Sequence, residues 1–128
     1  MLGARYRYQV YNGTGVSVTC TVKDKAFKFA SDGSLTFASE VAHISAVSVA
    51  TVSYSNATSI DNTTDKNLGS NITWTAAPGS SATGTVSIYL QRSTDGGTTW
   101  PSDGQGEFLS GISFSASSAS VTKNAKVR

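Results

Sequence analysis

The chain has one cysteine, one histidine and two prolines in 128 residues, and each shortage removes a class of architecture or chemistry. A lone thiol closes no intrachain disulfide, and one Cys with one His does not complete a zinc site, whose ligands come mostly from those two residue types. Charged residues are also scarce, at 14% of the chain against about 25% in an average globular protein, and Ser and Thr take their place. Ten basic residues face eight acidic ones, and the basic ones are dispersed. Nucleic-acid binding asks for a clustered basic face interleaved with aromatics, so no such partner is expected. No apolar run reaches the length of a membrane span, and the opening Met1-Leu2-Gly3-Ala4-Arg5-Tyr6-Arg7-Tyr8 has no apolar core of signal-peptide length. The expectation is a chain that folds in the cytoplasm, away from membranes. The Asn-x-Ser/Thr sequons at Asn12, Asn56, Asn62 and Asn71 then carry no claim of glycosylation.

What is present is alternation. Tyr6, Tyr8 and Val10 define one apolar face, and Asn12-Gly13-Thr14-Gly15 turns the chain into a second at Val16, Val18, Cys20 and Val22. Cys20 therefore reads as a buried apolar thiol. Phe27 and Phe29 are placed to pair with Leu35 and Phe37 across the turn Ser31-Asp32-Gly33-Ser34. His43 to Tyr54 is the longest candidate strand, residues 55–70 read as a polar loop, and Ile72 and Trp74 resume the alternation up to Pro78-Gly79-Ser80. Val86, Ile88 and Leu90 follow, then Phe108, Ile112 and Phe114, and Val121 and Val127 close the series. About eight short strands separated by turn signals predict an all-β fold, a single antiparallel, jelly-roll-like sandwich over residues 1–128 with very little helix. Residues 1–4 and 123–128 read as short terminal arms, where alternation weakens and charge gathers.

Few residues combine into chemistry. His43 has no Gly-x-Ser-x-Gly elbow to serve and reads as a surface or satisfied core histidine. Asp95, Asp103 and Glu107 resemble a glycosidase pair only in spacing, because the two aspartates precede glycines and are explained by turns. Asp61, Asn62 and Asp65 have calcium-type ligands but no EF-hand register. The expectation is a protein that is not an enzyme, with no catalytic residues, no cofactor and no metal. Among Trp74, Trp100, Tyr54 and Tyr89, Tyr89 is the best exposed aromatic for a sugar, and one ring is not a platform.

The run Ser93-Thr94-Asp95-Gly96-Gly97-Thr98-Thr99-Trp100 is the most specific stretch. It resembles the Asp-box of sialidases and propeller proteins, in which Ser93, Asp95, Gly97 and Trp100 match the fixed positions. The resemblance covers this one hairpin and none of that family's catalytic residues; a propeller would repeat the unit. It implies that Asp95 accepts bonds from nearby backbone N–H groups and that Trp100 folds back as a cap. Val86 to Gly106, together with Tyr8 to Thr14 and Phe27 to Leu35, resembles small all-β virion proteins of tailed bacteriophages.

That second resemblance implies a structural subunit assembled in the host cytoplasm into the virion. Capsid decoration is the first role implied, a tail, collar or fibre-attachment role the next, and a carbohydrate-binding module or adhesin is the alternative from another class. The implied partners are other virion proteins, the major capsid protein or tail and collar proteins, with homo-oligomers in the assembly and a glycan only under the alternative. Arg5 and Arg7 near one end and Lys123, Lys126 and Arg128 at the other are the candidate contacts.

Overall fold

Period-two burial runs through the strands of the computed structural model, which describes residues 1–128. Ten strands form in chain order, with no helix. They are β1 (Arg5–Asn12), β2 (Val18–Phe29), β3 (Leu35–Phe37), β4 (Val41–Val49) and β5 (Ser53–Asn56). The rest are β6 (Ile60–Asp61), β7 (Gly69–Pro78), β8 (Ala82–Arg92), β9 (Glu107–Ser117) and β10 (Val121–Val127). Two antiparallel sheets pack as a sandwich. Sheet 1 runs β5-β1-β8-β9 with β6 also on β1, and sheet 2 runs β10-β7-β2-β3 with β4 also on β2.

β3 and β4 pair successive stretches of β2, and β5 and β6 pair successive stretches of β1, so each pair is one interrupted strand. Counting each once leaves four strand paths per sheet from the five segments in each, which agrees with the expected eight. β7 returns to lie beside β2, while β5 sits across the sandwich edge from β4. In the second half β10 returns to β7, and β9 faces it across the opposite edge. Both halves therefore wind as Greek keys, as jelly rolls also do.

The inner faces supply the core. Tyr6, Tyr8 and Val10 of β1, Val18, Cys20 and Val22 of β2, Ile72 and Trp74 of β7 and Val86, Ile88 and Leu90 of β8 are all buried. Burial pushes the Cys20 thiol up to about 11, so it stays protonated and unreactive at neutral pH. The β2–β3 hairpin has the anticipated register, Phe27 opposite Phe37 and Phe29 opposite Leu35.

Two expectations are corrected. The run from His43 to Tyr54 is not one strand, because it leaves sheet 2 at Val49 and enters sheet 1 at Ser53. Val52 makes the crossing at φ 52°, a left-handed value that a β-branched residue holds only under strain. Its side chain is 71% exposed, so no packing opposes relief. Val52→Asn is expected to stabilise the fold by about 1 kcal/mol, read as a rise in the denaturant midpoint at constant slope.

The terminal arms are not free. Leu2 is fully buried, its N–H donates to Leu68 O, and the Asn62 amide donates to Gly3 O. At the other end β10 pairs with β7 from Val121 to Val127 and buries Val127. The Met1 ammonium reaches Arg128 O, which brings the two ends together. Weak alternation concealed both segments, because a single buried side chain, Leu2 at one end and Val127 at the other, is enough to anchor a chain end that the sandwich covers.

Candidate functional site

Residues 93–100 form a compact loop after β8. Ser93 Oγ donates to Asp95 Oδ1 at 2.7 Å and accepts from Gly97 N at 2.8 Å. Asp95 Oδ1 also accepts from Thr98 N and Thr99 N at 3.1 and 2.9 Å. Gly97 sits at φ 96°, a turn position that suits glycine. The Thr99 hydroxyl and N–H, then the Ser93 hydroxyl, hold the exposed Asp95 carboxyl down to about 2. Trp100 Nε1 donates to Gly97 O at 3.1 Å, so the ring closes over the turn as expected.

This loop is fastened to the outer face of sheet 1. The Arg7 guanidinium carbon lies 4.4 Å from the Trp100 ring centroid, and Arg7 Nε donates to Gln91 Oε1 at 2.7 Å. Gln91 Nε2 donates to Pro101 O at 3.1 Å. Gln9 Nε2 donates to Asn56 Oδ1 and Asp103 Oδ1 at 2.8 and 2.9 Å, and its Oε1 accepts from Gly104 N at 3.1 Å. Gln9 and Gln91 are buried outward-facing residues, a role that alternation alone does not reveal. Asp95→Ala is expected to lower the melting temperature and red-shift Trp100 emission while leaving the strand signal in circular dichroism. An unchanged melting temperature would show that the turn does not depend on its carboxylate.

The acidic residues weighed as catalytic pairs point to separate partners. Asp95 serves its own turn, Asp103 serves Gln9, and Glu107 pairs with Arg92 at 3.4 Å. Asp61 accepts from Thr63 and pairs with Arg5 at 3.2 Å, while Asn62 bonds Asn67 and Gly3. No group of three or more His, Cys, Asp or Glu side chains gathers with the geometry to hold a metal ion. Tyr89 meets Phe108 edge-on at 5.9 Å, and Tyr54 stacks on Tyr11 at 4.5 Å. With Trp100 under Arg7, these rings mainly serve one another.

The most concentrated polar chemistry is buried and centres on a residue not singled out from the sequence. Asp24 Oδ2 accepts from Tyr8 Oη at 2.6 Å and Ser70 Oγ at 2.8 Å, and Oδ1 lies 2.6 Å from His43 Nε2. His43 reaches inward from the irregular stretch of β4, beside the shift in its pairing with β2. Burial pushes the Asp24 carboxyl up, but bonds from His43, Tyr8 and Ser70 and the charge of a protonated His43 outweigh it. The carboxyl therefore titrates below the usual aspartate range. Burial and the Asp24 charge drive the Tyr8 hydroxyl far above the ordinary tyrosine range. Ser70 and His43 both address the carboxylate rather than each other, so the set contains no hydroxyl–imidazole pair of the kind a nucleophile needs. Parity held the signal: Asp24 continues the inward series of Val18, Cys20 and Val22.

The candidate contact residues separate into two groups. Arg5 and Arg7 are engaged on the sheet 1 side by Asp61, Gln91 and Trp100. Lys123 sends Nζ across the sandwich edge to Gly111 O at 2.8 Å. Lys126 and Arg128 are exposed and line a cleft of about 360 Å³ with Phe27, Phe29, Leu35 and Phe37. Phe29 is 60% exposed, and Leu35 and Phe37 are 47% each.

No protein-family model, curated protein or solved structure matches this chain. The fold class, an all-β double-sheet sandwich, therefore stands on the geometry alone.

Proposed function

We propose that the chain is a non-enzymatic structural subunit of a tailed-bacteriophage virion, assembled in the host cytoplasm. Its first role is capsid decoration, with a tail, collar or fibre-attachment role next. The observation that supports this reading is the exposed apolar side of the β2–β3 hairpin, with Phe29, Leu35 and Phe37 open to solvent. A contiguous apolar patch on a small domain marks a surface that a partner covers. The chain ends add support, because they are tied to the body rather than spent as flexible tails, which leaves a rigid unit for docking.

The test mixes purified protein with undecorated capsids and separately with isolated tails, and measures occupancy by sedimentation. Phe29→Ser with Phe37→Ser is expected to weaken occupancy by about tenfold or more, because exposed aromatic anchors dominate such interfaces. Phe29 is mostly exposed and Phe37 about half exposed with one ring contact to Phe27, so the melting temperature should fall only modestly while the strand signal in circular dichroism is kept. Absence of the wild-type protein from both capsid and tail fractions would overturn the virion assignment.

A further inference from the structure

We propose that the outer face of sheet 2 is a docking trough for an extended acidic segment of a partner polypeptide; this rests on the assembly reading and names the chemistry of its partner. Register puts Lys25, Asn71 and Lys126 in one row across β2, β7 and β10, and Lys23, Thr73 and Asn124 in the next. Strand spacing separates the Lys25 and Lys126 backbones by about 10 Å. Lys23, Lys25, Lys126 and Arg128 are all exposed. β7 and β10 contain no Asp or Glu, and the one carboxylate of β2, Asp24, points into the core. The face therefore carries three lysines and no facing anion along these three strands, with Arg128 just past the end of β10, a pattern complementary to acidic side chains.

Shape supports an extended occupant. A shallow depression of about 450 Å³ lies over the paired strands β7 and β10, and the Phe-lined cleft of about 360 Å³ shares Asn71 and Lys126 with it. Asn71, whose Oδ1 is buried without a hydrogen-bond partner, stands at the join. At the apolar end β3 bonds β2 on one side only, so its outer main chain is open to strand addition. Acidic side chains along the Lys rows and apolar ones at the Phe end would fill this trough together.

A polypeptide suits it better than a nucleic acid. Phe27 and Phe37 tilt against each other at 58° and 5.9 Å, and Phe27 also lies against Gly69. These rings wall a cleft rather than present free faces for bases to stack on. The formal charge of +2 is likewise small for a chain that must hold a phosphate backbone.

The test titrates the full chain, followed by amide NMR signals, with a short alternating Glu-Leu peptide. A Lys-Leu peptide and single-stranded oligothymidylate serve as the other arms. The Glu-Leu peptide is expected to shift Lys25, Asn71, Lys126 and Phe37 signals, with affinity falling as salt rises. Lys23→Glu, Lys25→Glu and Lys126→Glu together should weaken it about tenfold or more. Peptide signals confined to the 93–106 loop, no binding at all, or tighter binding of oligothymidylate at the same residues would overturn the proposal. If this triple variant occupies capsids or tails normally while the Phe29/Phe37 variant does not, the trough falls and the assembly reading survives. If the peptide binds the trough but the wild-type chain joins no particle, the assembly reading falls and the trough survives.

Discussion

Asp24→Ala is expected to cost about 3–5 kcal/mol of stability, the range for removing one member of a buried charged network. The carboxylate is the common acceptor for Tyr8, Ser70 and His43. Its removal leaves two buried hydroxyls and an imidazole without their partner, and each orphaned group carries its own desolvation penalty. Asp24→Asn should lose less, since one oxygen still accepts. The same carboxylate sets the acid response. Its folded value lies below its ordinary one, so its contribution is complete above about pH 4 and is lost as pH falls through the folded value. Asp95, held at about 2, acts in the same direction and extends the loss toward that pH. Denaturant midpoints measured from pH 6 downward should stay level until about pH 4 and then fall. In Asp24→Ala the fall should be shallower, and a variant as acid-sensitive as the parent would remove Asp24 from the account.

Trp74→Ala is expected to cost about 3–5 kcal/mol, as for other large buried aromatics. Trp74 is fully buried at the centre of β7, between β2 and β10. The sandwich meets there, so its neighbours cannot all move in to close the cavity. A second variant separates volume from polarity. Trp74 Nε1 is buried with no hydrogen-bond partner, so the indole already carries an unmet donor. Trp74→Phe removes that donor along with some volume and should lose far less than Trp74→Ala. Equal losses in urea unfolding would mean that the N–H is satisfied and that the cost lies elsewhere.

The regular strands were legible because one face of each is buried and alternation records which. The β2–β3 register followed from Phe27, Phe29, Leu35, Phe37 and the turn between them. The 93–100 loop was legible because Ser93, Asp95, Gly97 and Trp100 act within a few residues of one another. What escaped depends on distant segments. Gln9 and Gln91 look like exposed polar positions until the 93–106 loop lies over them. Asp24 needed partners from three other strands, none of them near in sequence. The basic face was hidden for the same reason, since Lys25 and Lys126 stand 101 positions apart by residue number and meet only through register with Asn71.

Lys123 stands opposite Trp74 in register, yet its ammonium reaches over to β9 and ties the two sheets at their open side. That contact bears on which edge of sheet 2 is open to another strand. A cation set at an edge strand discourages a second strand from pairing there, so β10 is a poor place for another copy to add. The apolar β3 edge has no such guard. A subunit with one receptive edge in this sheet is monovalent there: it ends a row instead of extending it. Strand addition through sheet 2 would then stop after one neighbour instead of propagating along this sheet.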